Sequence, residues 1–286
     1  MYTRRDFGKV ALAGVPVAKA FGAIQSKFGG VQIGAITYSF RALKAEEIIP
    51  AMVKTGLGEA EVMSNHVEAL AGAPRDAAAL RKWRMETSPA TFQSVRKLFD
   101  QAGIDVQLLC YNLNGNVSDD DIEYSFQMAK GLGVHTISSS SQITIAKRVA
   151  AFAERHKIRW GGHGHDRTDD PNEFATPESF AAAMKMSKYF KVNLDIGHFV
   201  SADYDPVAYI REHHADITNL HLKDRKKHQG DNTPWGQGDT PIRDVLQLLK
   251  RERWPIPADI EYEYRGAGTP TQEVKKCYEF AKQALA

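Results

Sequence analysis

The chain has 286 residues, 43% of them apolar, and a formal charge of +2, a balance that excludes a strongly basic nucleic-acid face and a polybasic membrane anchor. Its length is ample for a full core and suits a single barrel-sized domain. Two cysteines, Cys110 and Cys277, form neither a disulfide framework nor a metal motif. Core packing is expected of both, with one bridge left open.

The first 20 residues differ from the rest. Arg4-Arg5-Asp6-Phe7 precedes a soft apolar stretch, Val10 to Val17, and then Ala18-Lys19-Ala20. A basic start, a short apolar middle and a small-residue cleavage site make an export leader, and the paired arginines resemble the twin-arginine signal. The expectation is a leader over 1–20 and a periplasmic mature protein. The alternative is a basic amphipathic first helix. So short an apolar stretch does not span a bilayer as a stable helix. Beyond residue 20 the chain has 33 basic and 34 acidic residues, which removes any remaining case for nucleic acid.

From residue 31 onward, strand-like and helix-like segments alternate. Apolar runs that read as strands lie at 31–40, 59–64, 105–111, 135–139, 158–162, 191–196, 217–222 and 259–264. Amphipathic patterns at 44–54, 89–102, 118–132, 143–156, 176–188, 206–214, 242–250 and 271–285 read as helices. Ser88-Pro89, Thr176-Pro177, Asp205-Pro206 and Thr240-Pro241 each set a cap or turn residue before a proline suited to the first helical turn. Eight β–α units with no spare segment predict a parallel sheet closed into a single (β/α)₈ TIM barrel over 31–286. Two longer excursions, 65–88 and 225–239, follow strand C-termini and are expected over the active face as lid segments.

Potential metal ligands recur at the strand ends of the second half. They are His163 and His165 in Gly161-Gly-His-Gly-His165, Asp195 and His198 in Leu194-Asp-Ile-Gly-His198, His221 and Asp224 in His221-Leu-Lys-Asp224, and Glu261 and Glu263 in Ile260-Glu-Tyr-Glu-Tyr264. Barrel topology gathers strand C-termini around one mouth, so these pairs predict a divalent metal site there. Each residue also has a plainer role: His163 or His221 in the core, Asp195 as a helix cap, Asp224 as a loop organiser. Glycines around His163 suit a crowded site better than packing. In the first half, Tyr38, Ser39, Glu61, Asn65, His66, Tyr111 and Asn112 sit at strand ends suited to a sugar pocket. Trp235 either stacks on a sugar ring or anchors its loop.

These second-half motifs, with Gly236-Gln-Gly238 before a helix, resemble the sugar phosphate isomerase/epimerase group of xylose isomerase-like barrels. The resemblance implies one metal, often manganese, held by His163, Asp195, His221 and Glu261, and a substrate contact from His198. Two imidazoles and two carboxylates suit manganese, cobalt, iron or zinc better than magnesium. The group usually carries glutamate where this chain has His163, and paired glutamates on the fifth and eighth strands move protons on the two sides of a substrate carbon. Glu261, His163 and His165 are therefore the catalytic candidates, with His165 or Lys223 as a free base. Glu61, Glu263, Lys223, His198, Tyr38 and Trp235 are the substrate-contact candidates.

The expected activity is metal-dependent isomerisation or epimerisation of a small carbohydrate. The alternative is elimination from a 3-keto-glycoside, which the resemblance associates with histidine-rich fifth strands and export leaders. A binding-only barrel and a multi-metal phosphodiesterase fit less well: the first has no use for intact ligands, and the second needs first-half ligands and a basic face. Self-association is left open.

Overall fold

The computed structural model describes residues 22–286; the leader expected over 1–20 lies outside them. Eight parallel strands form the barrel: β1 (Val31–Ile36), β2 (Glu59–Met63), β3 (Asp105–Cys110), β4 (Thr136–Ser139), β5 (Arg159–His163), β6 (Phe190–Asp195), β7 (Ile217–Leu222) and β8 (Ala258–Ile260). Each pairs with the next in sequence, and β1 pairs with β8 to close the ring. A two-residue strand, Lys27–Phe28, pairs antiparallel with the start of β1.

Period-two alternation explains both the core and the site. Ala60, Val62, Leu194, Leu220 and Ile260 are fully buried, apolar and part of the main hydrophobic cluster. Their neighbours Glu59, Glu61, Asn193, Asp195, Asn219, His221 and Asp259 are buried as well but polar, and Glu61, Asn193, Asn219, His221 and Asp259 bond to one another across strands. Successive residues of a strand point to opposite faces, so one set packs under the helices and the other fills the barrel. The interior of this half is a hydrogen-bonded polar floor rather than a stack of aliphatic layers.

Most expected elements appear within a residue or two of their predicted ends. Three differences have physical causes. The first strand stops at Ile36, and Thr37–Phe40 is a 3₁₀ turn. The last strand stops at Ile260 because the Ser39 hydroxyl interposes itself, donating to Ile260 O at 2.9 Å and accepting from Tyr262 N–H at 2.9 Å. Helices not expected from the sequence form at Ser64–Leu70, Ala77–Glu86 and Ile196–Ser201.

The two excursions are not loose lids. The first folds into Ser64–Leu70 and Ala77–Glu86, pinned by a bidentate pair from Arg84 to buried Glu68 at 2.7 and 2.9 Å. The second is gathered on Asp224, whose carboxylate accepts from the N–H groups of Gly236 (2.7 Å), Gly238 (3.0 Å) and Thr240 (3.2 Å). A Cβ at Gly238 would lie 2.0 Å from Asp224 Oδ1, so glycine is required there by close approach. Cys110 and Cys277 are both free and buried. Among the described residues, no helix is long and apolar enough to cross a membrane.

Candidate metal centre

His163, Asp195, His221 and Glu261 converge at the C-terminal mouth of the barrel. One ligand atom from each lies within 4.8 Å of the others, and all four residues are buried. His163 and Asp195 end β5 and β6, His221 is the penultimate residue of β7, and Glu261 follows β8. Ladder register sets Asp195 beside His221. Distances of this order and a two-imidazole, two-carboxylate donor set fit a single divalent transition ion.

Hydrogen bonds fix which atom of His163 and of Asp195 is free. His163 Nδ1 meets Asn193 Oδ1 at 2.5 Å, which turns Nε2 toward the centre. Asp195 divides its carboxylate: Oδ1 caps the helix Ile196–Ser201 by accepting from His198 N–H at 2.8 Å. Oδ2 is buried with no hydrogen-bond donor aimed at it. Lys223 Nζ stands 3.0 Å from Oδ2, an ion-pair separation without hydrogen-bonding alignment, so Oδ2 remains open to a cation. His221 is held between two carboxylates, with Nε2 2.8 Å from Glu61 Oε2 and Nδ1 3.1 Å from Glu261 Oε2. Glu61 thus orients a ligand from behind, as such partners do in metal sites.

Below the ligands the floor is continuous. Asn193 Nδ2 donates to Asn219 Oδ1 at 2.7 Å, and Asn219 Nδ2 reaches Glu61 Oε2 at 2.7 Å and Asp259 Oδ2 at 2.9 Å. Deeper still, Glu59 and Asp259 crowd Gly34 together; a Cβ there would lie 1.6 Å from Glu59 Oε2 and 2.5 Å from Asp259 Oδ1. Three of their oxygens have no donor among the described residues. A proton shared between the two carboxyls would serve two of the three. Burial first, and then the neighbouring acid, pushes the Glu59 carboxyl well above the usual carboxylate range; burial also raises Asp259.

In the chain alone, Lys223 supplies positive charge to the cluster. Its Nζ lies 3.0 Å from Asp195 Oδ2, 3.0 Å from Glu261 Oε2 and 2.6 Å from Glu263 Oε2. Burial opposes the charge, but these three carboxylates outweigh it and hold the ammonium protonated. As an ammonium it offers N–H donors to the mouth of the barrel.

His165 lines the same mouth without belonging to the four-residue cluster. It stands on the rim beyond β5, its Nδ1 2.7 Å from Glu173 Oε1 and its Nε2 2.9 Å from Ser140 Oγ. Glu173 is itself buried and also pairs with Arg167. A buried carboxylate on Nδ1 places the ring proton there and presents the Nε2 lone pair to the cavity. His198 is also held through Nδ1: Arg225 Nη1 lies 2.5 Å from its Nδ1, and the same guanidinium lies 2.9 Å from Asp166 Oδ2. The same Nδ1 also lies 3.3 Å from Asp166 Oδ1, so Asp166 and Arg225 together fix the ring and leave Nε2 free of these two partners.

These groups border a cavity of about 290 Å³. His163, His165, His198, His221, Lys223, Glu261 and Glu263 line it, with Tyr38 from the opposite part of the ring. Two expectations need correction. Glu61 does not reach substrate; it is fully buried beneath His221. Trp235 does not stack over the cavity; it packs edge-on against Phe280 with centroids 5.7 Å apart, anchoring its loop to the last helix. A larger crevice of about 620 Å³ between Tyr204 and Arg251 on the outer ring contains none of the ligands.

Glu173, Asn193, Asn219 and Arg225 were not anticipated. For the two asparagines a signal existed: Asn193-Leu-Asp195 and Asn219-Leu-His221 repeat a polar residue two places before a ligand, on the same strand face. Glu173 lies in the irregular segment after β5, where no periodicity points to it.

The sequence model of the family described as xylose isomerase-like TIM barrel matches residues 143–284, the part that carries all four ligands. No curated protein matches the chain. Among solved structures, a sugar phosphate isomerase/epimerase from Parabacteroides distasonis shares 17% identity over 95% of this chain and 99% of that one, with a TM-score of 0.63. D-psicose 3-epimerase from Clostridium cellulolyticum, solved with D-tagatose, shares 14% identity over 89% and 99%, with a TM-score of 0.66. The IOLI protein, solved with a zinc atom, shares 12% identity over 89% and 98%, with a TM-score of 0.67. At these identities the likeness is one of fold, and the fold is a xylose isomerase-like TIM barrel.

Proposed function

We propose that this chain is a metal-dependent sugar isomerase or epimerase that removes a proton from the carbon beside a carbonyl. One observation carries the reading: a buried two-histidine, two-carboxylate cluster at a barrel mouth shares its cavity with a carboxylate-oriented imidazole outside the cluster, His165.

His163, Asp195, His221 and Glu261 would hold the ion. When bound, it supplies a Lewis acid that polarises the carbonyl and makes the neighbouring carbon acidic. His165 Nε2 takes the proton, and Glu173 stabilises the imidazolium that forms. Lys223 and His198 donate to substrate oxygens as charge builds on them. Ser140, at hydrogen-bond distance from Nε2, orients a hydroxyl or passes a proton. Glu261 approaches from a different wall, so return of the proton by either group distinguishes retention from inversion at the carbon.

A second reading keeps the same proton removal but expels a glycosidic oxygen from the next carbon, an elimination from a 3-keto-glycoside. His163 favours it, because a histidine replaces the second glutamate that a two-carboxylate proton exchange would use. The decisive assay incubates the manganese-loaded chain in D₂O with free hexoses and, separately, a 3-keto-glycoside, following products by NMR. Interconverted sugars with deuterium beside the carbonyl support the first reading; release of the aglycone supports the second. No exchange of any substrate proton would sink both.

The Arg4-Arg5 leader further suggests work outside the cytoplasm, which disfavours phosphorylated metabolites as substrates. Fractionating cells that express the full chain tests this: a shortened periplasmic form that vanishes without twin-arginine export is expected, and a full-length cytoplasmic form would contradict it.

A further inference from the structure

A second concavity, of about 370 Å³, opens beside the metal-centre cavity and shares Met63 and Asn112 with it. The two therefore lie side by side on the mouth of the barrel, with Met63 and Asn112 at their border. The new part is walled by Asn65 beyond β2, by Asn112, Asn114 and Asn116 beyond β3, and by Arg84 and Asp121. Asn65, Asn114 and Asn116 are exposed; Asn114 Oδ1 accepts from Asn116 N–H at 3.1 Å and Asn112 Oδ1 from Ser140 N–H at 2.9 Å, which fixes these two amides at the rim.

Four carboxamides offer donors and acceptors together, the pairing that sugar hydroxyls need. The charges argue against an anionic group. Arg84 is already neutralised by its bidentate pair with Glu68, a buried carboxylate that also accepts from Tyr124 OH at 3.0 Å. Asp121, fixed by Ser118 N–H at 2.9 Å and Ser118 Oγ at 2.6 Å, adds a negative charge to the same wall. A phosphate would meet no uncompensated cation there, and one carboxylate would repel it. The cleft is suited to a neutral polyhydroxyl group, and its volume is of the order expected for one small ligand. It also gives the Ser64–Leu70 and Ala77–Glu86 helices a use, since they deliver Asn65 and Arg84 to the rim.

We propose that this cleft is a subsite for the second ring of a two-ring glycoside whose first ring lies over the metal centre. The inference rests on the carbohydrate reading of the main cavity and, within it, favours a glycosidic substrate over a free or phosphorylated hexose.

Isothermal titration of the manganese-loaded full chain tests it. The probes are D-glucose, D-galactose, D-fructose, glucose 6-phosphate and the disaccharides cellobiose, maltose, trehalose, lactose and sucrose. At least one disaccharide is expected to bind about tenfold tighter than its best component monosaccharide, the gain from two or three added hydrogen bonds. Asn65→Ala combined with Asn116→Ala, at exposed positions that folding does not need, should erase that advantage and leave monosaccharide binding unchanged. Disaccharides no tighter than monosaccharides, an advantage that survives in the double variant, or tightening by the phosphate alone would each overturn the subsite while leaving the main cavity's reading intact. If no sugar binds, the carbohydrate reading itself fails, and the subsite with it.

Discussion

At the scale of single residues, the centre separates into groups that hold a cation and groups that act beside it. Asp195→Ala or His221→Ala should reduce bound manganese to a small fraction of an equivalent, measured by elemental analysis of the folded protein; full occupancy in both would refute the ligand assignment. Glu61→Gln keeps a hydrogen bond to His221 but loses the charge, and a fall of about 10–100-fold in metal affinity is expected. Glu173→Gln should leave metal content intact and lower kcat by roughly 10²-fold or more with little change in KM, because it spoils the tautomer and charge of the base rather than binding. His165→Asn should do the same, and the double variant should be no worse than His165→Asn alone; additive losses would mean that Glu173 acts elsewhere. The ligands were legible because a histidine or carboxylate ending an apolar run has few structural uses. Glu61 was legible as a site residue but not in its role: a carboxylate near a strand end reads the same whether it faces the mouth or lies one pleat below. Glu173 was silent because its meaning arises only when an irregular segment folds back onto His165.

At the scale of elements, polar side chains do much of the work that secondary structure usually does alone. Ser39 ends β8 by taking up Ile260 O and Tyr262 N–H, while Glu261 N–H keeps its bond to Leu222 O at 3.0 Å and so stays anchored to β7. Asp224 gathers the segment 225–239 through three backbone donors. Asp224→Ala should therefore cost about 2 kcal/mol or more and raise amide exchange between Arg225 and Asp239 while the barrel strands stay protected; unchanged exchange there would show that other contacts hold the loop. Three helices escaped the sequence for different reasons. Ile196–Ser201 begins directly on a strand's last residue, leaving no loop to mark it. Ala77–Glu86 buries no residue, so no apolar stripe announces it. Ser64–Leu70 is barely two turns long. The eight strands, by contrast, were evident from their apolar runs, and the closed barrel followed from their number.

At the scale of the whole molecule, two titratable positions, one half-buried and one buried, set opposing pH trends. Burial pushes His66 down to about 4 from the ordinary 6.5. The unfolded chain then binds the proton more readily, so stability is full above pH 6.5 and is lost as pH falls toward 4. Partial exposure reduces the effect to on the order of 2 kcal/mol. His66→Gln should remove that part of the acid sensitivity in urea titrations at pH 7 and pH 4.5; an unaltered difference would mean that His66 stays neutral at no cost. Glu59 runs the other way. Its folded carboxyl holds a proton longer than the unfolded one, so its contribution declines as pH rises above the ordinary carboxylate value of 4.5. Glu59→Gln, whose amide donates to Asp259 at any pH, should be more stable than the parent at pH 7 and no better at pH 4.

The amide chain from His163 through Asn193 and Asn219 to Glu61 and His221 has a consequence for redesign. Two ligands on nonadjacent strands share one set of supports, so neither can be exchanged independently. A glutamate grafted at position 163 would present an acceptor to the acceptor oxygen of Asn193. Asn193 would have to flip its amide, withdraw its donor from Asn219, and loosen the orientation of a histidine two strands away. A barrel with glutamate at that site is therefore reached from this one only by replacing the supporting asparagines in the same step, which makes ligand and floor a single inherited unit.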